Sequence, residues 1–565
     1  MPSETDAPAT EAAPPSFTPT LPPRADGPPR PSLPGPPGTP LTDPPIGAPV
    51  NRVPQPTVQN DALVKALQLA ALQSSKQPQQ AKKPHWRRRR FTFWQWMMWR
   101  AVIGVVLTGL FAGGTAINRW YQGHQRSSDR YPAAWDERVV EFANFVESER
   151  GLTFEHPIYV EFFTEDEFVK LFEPGDNGDF EGGDGADTET SAASDLVDAA
   201  GLSATYEPGV DDSTVSQVTT LGFYSPEVQR IALRGEVLTP AVKVVLVHEL
   251  THALQDQNYS LQTGGANDME VRAVVEADAM RIEDAYLATL STGDRDDAIE
   301  DNSANESTDA ALASVPWPMI DQSQAPYILG PIFLQHIIET GDPNDLAHIF
   351  EVPPTSEELV DPPTYPQAVT PSPGVGLPPG AVQIEPQRQW SKYDALIMLD
   401  AWLPWRVSRD ALEGWGGGSY ISDRKDGEDG PVCFSVNLQL DTPEQAALFG
   451  AAVSSWALNA GSATVPDVQL DNVRFEACTR PAGAADPPVP AVMTSEALYL
   501  EAVVAKQIRG TFLANPWYSC VARALIDDPT FASLAWTDVL TPEQQTAIDE
   551  AGDAARWVCG PAPIG

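Results

Sequence analysis

His248-Glu249-Leu250-Thr251-His252 brings two imidazoles and a carboxylate together within five residues. On a helix, positions i and i+4 share a face, so both histidines can reach one metal ion while Glu249 points toward a water in an open coordination position. The chemistry of such a set is hydrolysis, with a zinc ion activating the water and the carboxylate taking its proton. The competing reading makes the pair two core histidines satisfied by hydrogen bonds, with Glu249 on a solvated face.

Two imidazoles do not complete a catalytic zinc site, which takes three protein ligands and leaves one position for water. Glu276, in Val274-Val275-Glu276-Ala277-Asp278-Ala279-Met280, sits in the next helical segment after a polar connection through Gly264–Asp268. Two antiparallel helices joined in this way can converge on one metal. Glu270 is the main competitor, and His336 requires a later helix to fold back. Asp256, one turn beyond His252, either orients a ligand imidazole or is a solvated acid at the helix end.

The elements that must hold these groups are legible nearby. Thr239-Pro240 reads as an N-cap followed by proline at the first helical position. Val242, Val244, Val245, Leu246 and Val247 then give an apolar run able to bury the helix inside a domain. Glu227–Leu233 alternates like a strand. A helix from Tyr327 to Thr340 is expected, kinked at Gly330-Pro331.

The stretch His248–Gln257, HELTHALQDQ, followed by Glu276-Ala277-Asp278-Ala279, resembles the gluzincin type of zinc metallopeptidase, in which two helices supply His, His and Glu. More closely, the chain is similar to a group of bacterial membrane-anchored or secreted metallopeptidase-like proteins. The similarity rests on Gly222-Phe223-Tyr224, Tyr327-Ile328-Leu329-Gly330, Pro353–Glu358 and Gly414-Trp415-Gly416-Gly417, and covers most of residues 155–565. It implies a zincin-like fold, Zn2+ held by His248, His252 and Glu276, and Glu249 as general base in hydrolysis of a protein or peptide substrate. It also implies an oxyanion donor from a later helix, with Tyr327 first in line and His336 and Tyr420 behind it. In related folds the edge strand before the zinc helix pairs with extended peptide, a role that falls here on Glu227–Leu233. One position departs from the pattern. Thermolysin-like members carry an Asp four residues after the Glu ligand to orient a His, and that position here is Met280.

Composition sets the surroundings. Residues 1–85 form a Pro-rich tail expected to be disordered and cytoplasmic, with a short amphipathic segment at Asp61–Leu72. Residues 86–120 hold a basic flank ending at Arg87–Arg90 and an apolar stretch to Ile117, read as one transmembrane helix with Trp94, Trp96 and Trp99 in the interface and Arg100 snorkelling. Ala112-Gly113-Gly114 as a signal-peptide cleavage site and Arg88–Phe91 as a twin-arginine signal are the alternatives. The positive-inside rule places the N-terminus in the cytoplasm and everything after about residue 120 outside, as a single-pass protein; the resemblance makes the membrane a bacterial one.

The expected fold class is α+β: a zincin-like (gluzincin) catalytic domain over 121–350, a Pro-rich linker over 351–390, and a C-terminal α+β domain over 391–565 carrying two disulfides. All four cysteines lie in that last part, and sequence order favours Cys433 with Cys478 and Cys520 with Cys559. Their wide spacing argues against a second zinc site. Thr442-Pro443-Glu444-Gln445 and Thr541-Pro542-Glu543-Gln544 read as capping boxes opening helices. A formal net charge of −42 speaks against nucleic acid as a partner. Asp176–Asp187 is rich in Gly and Asp without the register of an EF-hand, and is read as an acidic insertion rather than a calcium site. Two functions compete: a membrane-anchored zinc peptidase, and a non-catalytic envelope protein that keeps the zinc fold as a binding or structural module.

Overall fold

The computed structural model describes residues 131–560 apart from 170, 172–194, 206–220, 227–228, 262–268, 304–314, 342–344, 367–371, 429, 510–515 and 535–540. The tail 1–85 with its segment Asp61–Leu72, the span 86–120 with both export signals, the Gly264–Asp268 connection and the acidic loop Asp176–Asp187 lie outside the described residues. Among the described residues no helix is long and apolar enough to cross a membrane.

The architecture is mixed α+β. Helix α1 (Val140–Arg150) leads to β1 (Tyr159–Phe163) and the short α2 (Glu165–Val169), followed by β2 (Gly222–Ser225), β3 (Arg230–Arg234), α3 (Pro240–Tyr259), α4 (Met269–Thr289), α5 (Thr292–Ser303) and α6 (Trp317–Thr340). The three strands form one sheet in the order β1-β3-β2, with β1 parallel and β2 antiparallel to β3. This corrects the strand expectation. Within 227–233 the strand begins only at Arg230, and its main chain is paired on both sides, so the edge strands are β1 and β2. The reason is legible in β3 itself, where Ile231, Ala232 and Leu233 are all buried. A strand apolar on both faces belongs in the middle of a sheet.

Helix α3 starts as its sequence signals: Pro240 lies in the first turn, and the Thr239 hydroxyl accepts from the Val242 amide at 3.3 Å. Every residue from Val244 to Asp256 is buried. Leu246, Leu250, Ala253 and Leu254 pack with Phe142 and Val146 of α1, Tyr224 of β2, Ile231 and Leu233 of β3, and Ile282 of α4. A helix enclosed on all sides gives the rigid mount that paired ligands need.

Helix α6 begins at Trp317, earlier than the expected Tyr327, and runs through Pro326 and Pro331 to Thr340. It packs closely on α4 at Gly330, where an added Cβ would sit 2.1 Å from the Ala273 carbonyl oxygen and 3.1 Å from the Ala277 Cβ. Farther toward its start, Asp321 is fully buried and accepts from Tyr393 Oη at 3.1 Å and from the amide and hydroxyl of Ser495. These bonds tie α6 to the C-terminal half.

That half continues with α7 (Asp345–Glu351), α8 (Ser356–Val360), β4 (Val382–Gln383), β5 (Arg388–Trp390), α9 (Lys392–Asp400), α10 (Trp405–Ala411), β6 (Trp415–Arg424), β7 (Val432–Leu440), α11 (Pro443–Ala460), β8 (Asp467–Gln469), β9 (Asn472–Cys478), α12 (Thr494–Arg509), α13 (Pro516–Ile526), α14 (Pro529–Leu534) and α15 (Pro542–Cys559). The sheet runs β4-β6-β7-β9-β8, with β5 also on β6. Cys433 and Cys478 face each other in the β7–β9 register and are bonded, and Cys520 is bonded to Cys559 across α13 and α15. Thr541 and Gln544 form the expected reciprocal cap. Thr442 caps α11, but Gln445 does not return the bond: its Oε1 is buried without a partner, and its side chain lies where a Cβ on Gly414 would be.

One hydrophobic core passes from Ala273, Val274 and Ala277 of α4 through α6 to Trp390, Tyr393, the six-stranded sheet and Ala555 of α15. The segment 351–390 is bound into it. Asp361 accepts from Lys392 Nζ at 2.7 Å and Arg409 Nη2 at 2.8 Å, and those two cations hold its carboxyl far below the usual range against the effect of burial.

Gly330→Ala places a methyl group against the α4 backbone and is expected to cost about 1–3 kcal/mol, as overpacked cores do. Urea denaturation of the purified variant, read as a lowered midpoint at unchanged slope, checks this.

Candidate metal centre

Helices α3 and α4 bring three of the predicted residues to one point. His248 Nε2 lies 3.0 Å from His252 Nε2, and Glu276 Oε2 lies 3.3 Å from the first and 3.4 Å from the second. All three residues are buried, and their donor atoms form a group able to hold a metal ion. Glu270 and His336, the alternative ligands, are not in it. Glu270 is partly exposed in the first turn of α4, and His336 lies about two and a half turns beyond Tyr327 on α6.

Hydrogen bonds on the far side of each imidazole fix its tautomer. His248 Nδ1 lies 3.0 Å from Glu283 Oε2, a carboxylate that can only accept. His252 Nδ1 lies 3.0 Å from Gln255 Oε1, while the Gln255 amide nitrogen donates to Val275 O at 3.0 Å and Asp278 Oδ2 at 3.1 Å. The amide is thereby oriented with its oxygen toward the ring. Both Nδ1 atoms therefore carry hydrogen, and both Nε2 atoms present lone pairs to each other and to Glu276 Oε2. With both rings neutral, three acceptors converge without a donor and repel one another unless a metal ion or an added proton lies between them. Ligands about 2.0–2.1 Å from a tetrahedral ion are about 3.3–3.4 Å apart, close to the spacings here. The residues present fit a metal ion.

The electrostatics agree. Burial opposes charge on His248, yet the Glu276 and Glu283 carboxylates override it and push its pKa up to about 10. Burial likewise opposes charge on Glu276, and the two imidazoles outweigh it, holding the carboxyl well below the usual range. A proton on His248 thus compensates the site when no metal does.

The groups that orient the imidazoles are not those expected. Asp256 does not touch a ligand: its Oδ2 accepts from Tyr224 Oη at 2.7 Å and its Oδ1 from the Leu261 amide at 3.1 Å, which fastens the end of α3 to β2. Glu283 and Gln255 hold the rings instead. Their helical spacing was available in the sequence, since Glu283 lies two turns beyond Glu276 on the same face of α4, and Gln255 one turn beyond His252. Gln255 leads onward to Asp278, which also accepts from Arg150 Nε at 2.7 Å.

Glu249 lies beside the group, and its Oε2 accepts from the Tyr224 amide at 2.8 Å. That amide points away from β3, so the outer edge of β2 aims the carboxylate. Burial raises its pKa above the usual value, while His252 and His248 counteract this. Tyr327 donates its hydroxyl to Glu276 Oε1 at 2.9 Å, so the residue expected to serve an oxyanion holds a ligand carboxylate in this structure. Tyr420 lies in the six-stranded sheet opposite Arg388. Cys433, Glu476 and Cys478 also come together, but their two sulfurs are joined to each other and are not thiolate ligands.

No family model, curated protein or solved structure matches the chain.

Two outcomes are expected of this geometry. If the group holds a metal ion, Glu283→Gln and Gln255→Leu should each weaken its binding about 10–100-fold, as changes to ligand-orienting groups do, measured by competition with a chromogenic chelator. A pKa of about 10 on His248 means that the metal must displace a proton at neutral pH. Affinity should therefore fall about tenfold for each pH unit below 10, with proton release seen by calorimetry in buffers of different ionisation enthalpy.

Proposed function

We propose that the chain is a membrane-anchored, extracytoplasmic zinc metallopeptidase of the gluzincin type, hydrolysing peptide bonds in proteins or peptides. The observation that carries this reading is the convergence of two imidazoles and a carboxylate oxygen beside a second, separately held carboxylate, Glu249. Two imidazoles with one carboxylate suit zinc better than a hard cation that prefers oxygen alone. The basic flank and apolar stretch of 86–120 and the two disulfides support the anchored, exterior placement.

His248, His252 and Glu276 would hold the metal, which when bound lowers the pKa of a water and polarises a carbonyl. Glu249, aimed by the Tyr224 amide, accepts the water's proton at its carboxylate and returns it to the leaving amine nitrogen. Burial raises its pKa above the usual carboxylate value, which makes it a stronger base. Tyr327 keeps Glu276 in place. Edge strand β2 offers main-chain groups beside Glu249 to which an extended peptide can pair.

The non-catalytic alternative draws on one observation. His248, Glu249, His252 and Glu276 are 2%, 1%, 4% and 4% exposed, an enclosure that suits a structural centre as well as a reactive one. The variants separate the two. The solubilised full chain is expected to carry about one zinc, lost in His252→Ala and Glu276→Ala by atomic absorption. Glu249→Gln should keep the metal and lose hydrolysis of a quenched fluorescent peptide pool. Metal without any Glu249-dependent cleavage supports the binding module, and absence of metal in wild type removes the peptidase.

A further inference from the structure

Arg272 plays no part in the metal geometry, yet it stands next to it. It lies on α4 one turn before Glu276, so the two project from one face of the helix. Its guanidinium adjoins the Tyr327 hydroxyl: burial and then Glu276 raise the phenol's pKa, and Arg272 works against them. Arg272 is partly exposed, whereas Glu276 and Tyr327 are 4% and 3% exposed. Of these three neighbours it is the one that reaches solvent.

Two of its donors are nonetheless out of water and unpaired. Arg272 Nε and Nη2 are buried with no hydrogen-bond partner, and no carboxylate pairs with the side chain among the described residues. Other arginines of the fold show the contrast, Arg150 bonding Asp278 at 2.7 Å and Arg409 bonding Asp361 at 2.8 Å. Leaving charged donors desolvated and unmatched is costly unless something completes them. Nε–H and Nη2–H are the parallel pair along one side of a guanidinium, the fork that matches the two oxygens of a carboxylate. In a chain of net charge −42, an anionic substrate is repelled by most of the surface and needs a local cation to hold it.

We infer that Arg272 anchors a carboxylate of the substrate beside the metal centre, supplied by a peptide's C-terminus or by an Asp or Glu side chain near the bond to be cut. This rests on the peptidase reading above and adds a substrate class to it.

The test uses the solubilised full chain and four pools of N-acetyl tripeptides, with binding read by affinity-selection mass spectrometry and zinc content measured on the same samples. The pools are neutral free acids, neutral C-terminal amides, amides containing Glu and the matching amides containing Gln. Wild type should bind at least one carboxylate pool about tenfold or more tighter than its neutral counterpart, the scale of a charge-assisted hydrogen bond. Arg272→Gln should abolish that preference. Arg272→Lys, which keeps the charge but not the fork, should retain about two- to threefold of it. Preference for free acids assigns the C-terminus, and preference for Glu over Gln amides assigns a side chain. Equal binding of all pools by wild type, or a preference unchanged in Arg272→Gln, overturns the anchor. Zinc present with equal binding defeats the anchor alone. Zinc absent defeats the peptidase reading, and the pool comparison still decides whether Arg272 holds a carboxylate.

Discussion

Three lone pairs facing one another in a buried space are the constraint on which the rest of the site depends. With neither a metal ion nor a proton among them, two imidazole nitrogens and a carboxylate oxygen at 3.0–3.4 Å would separate. They are held by bonds made elsewhere: His248 by Glu283, His252 by Gln255 and Glu276 by Tyr327. Each first contact sits on a different helix or helix turn, so the position of the whole set is a property of how α3, α4 and α6 pack. Gly330 sets that packing at its closest point, by letting α6 approach the backbone of α4 within the reach of the Tyr327 hydroxyl.

Much of the centre was legible because it is local. His248 and His252 share a helix, so spacing alone put them on one face, and Thr239-Pro240 marked where that helix begins. Glu276 was reachable by the same logic because the next helix must return alongside. Both cysteine pairs were readable from their order in the chain. What stayed hidden depends on registry between elements. No pattern in 227–233 says that β3 has a neighbour on each side; that follows from burial of both its faces. Asp256 carries the right charge at a plausible spacing, but its side chain meets Tyr224 of β2 instead of a ligand. The sequence marks Tyr327 as a donor, and only the α4–α6 contact shows that its proton goes to Glu276.

The Pro-rich composition of 351–390 reads as a connector, and several of its residues make specific bonds, some local and some long-range. Thr355 and Glu358 cap α8 reciprocally, and Asp361 takes two buried cations from α9 and α10. Composition reports what a segment can do without partners. It does not report which buried cations lie elsewhere in the chain awaiting an acid.

The hydrophobic clusters give the ligand arrangement a mechanical meaning. His248 and His252 ride on a helix whose neighbours Val247, Leu250 and Ala253 belong to one cluster. Glu276 is flanked by Val274 and Ala277, which belong to the cluster that extends through the disulfide-bonded half. The candidate ligands therefore lie where two hydrophobic clusters meet, both of which include residues of α4. An ion held by His248, His252 and Glu276 would act as a rivet between the two helices, adding one tie to the packing that already joins α3 and α4.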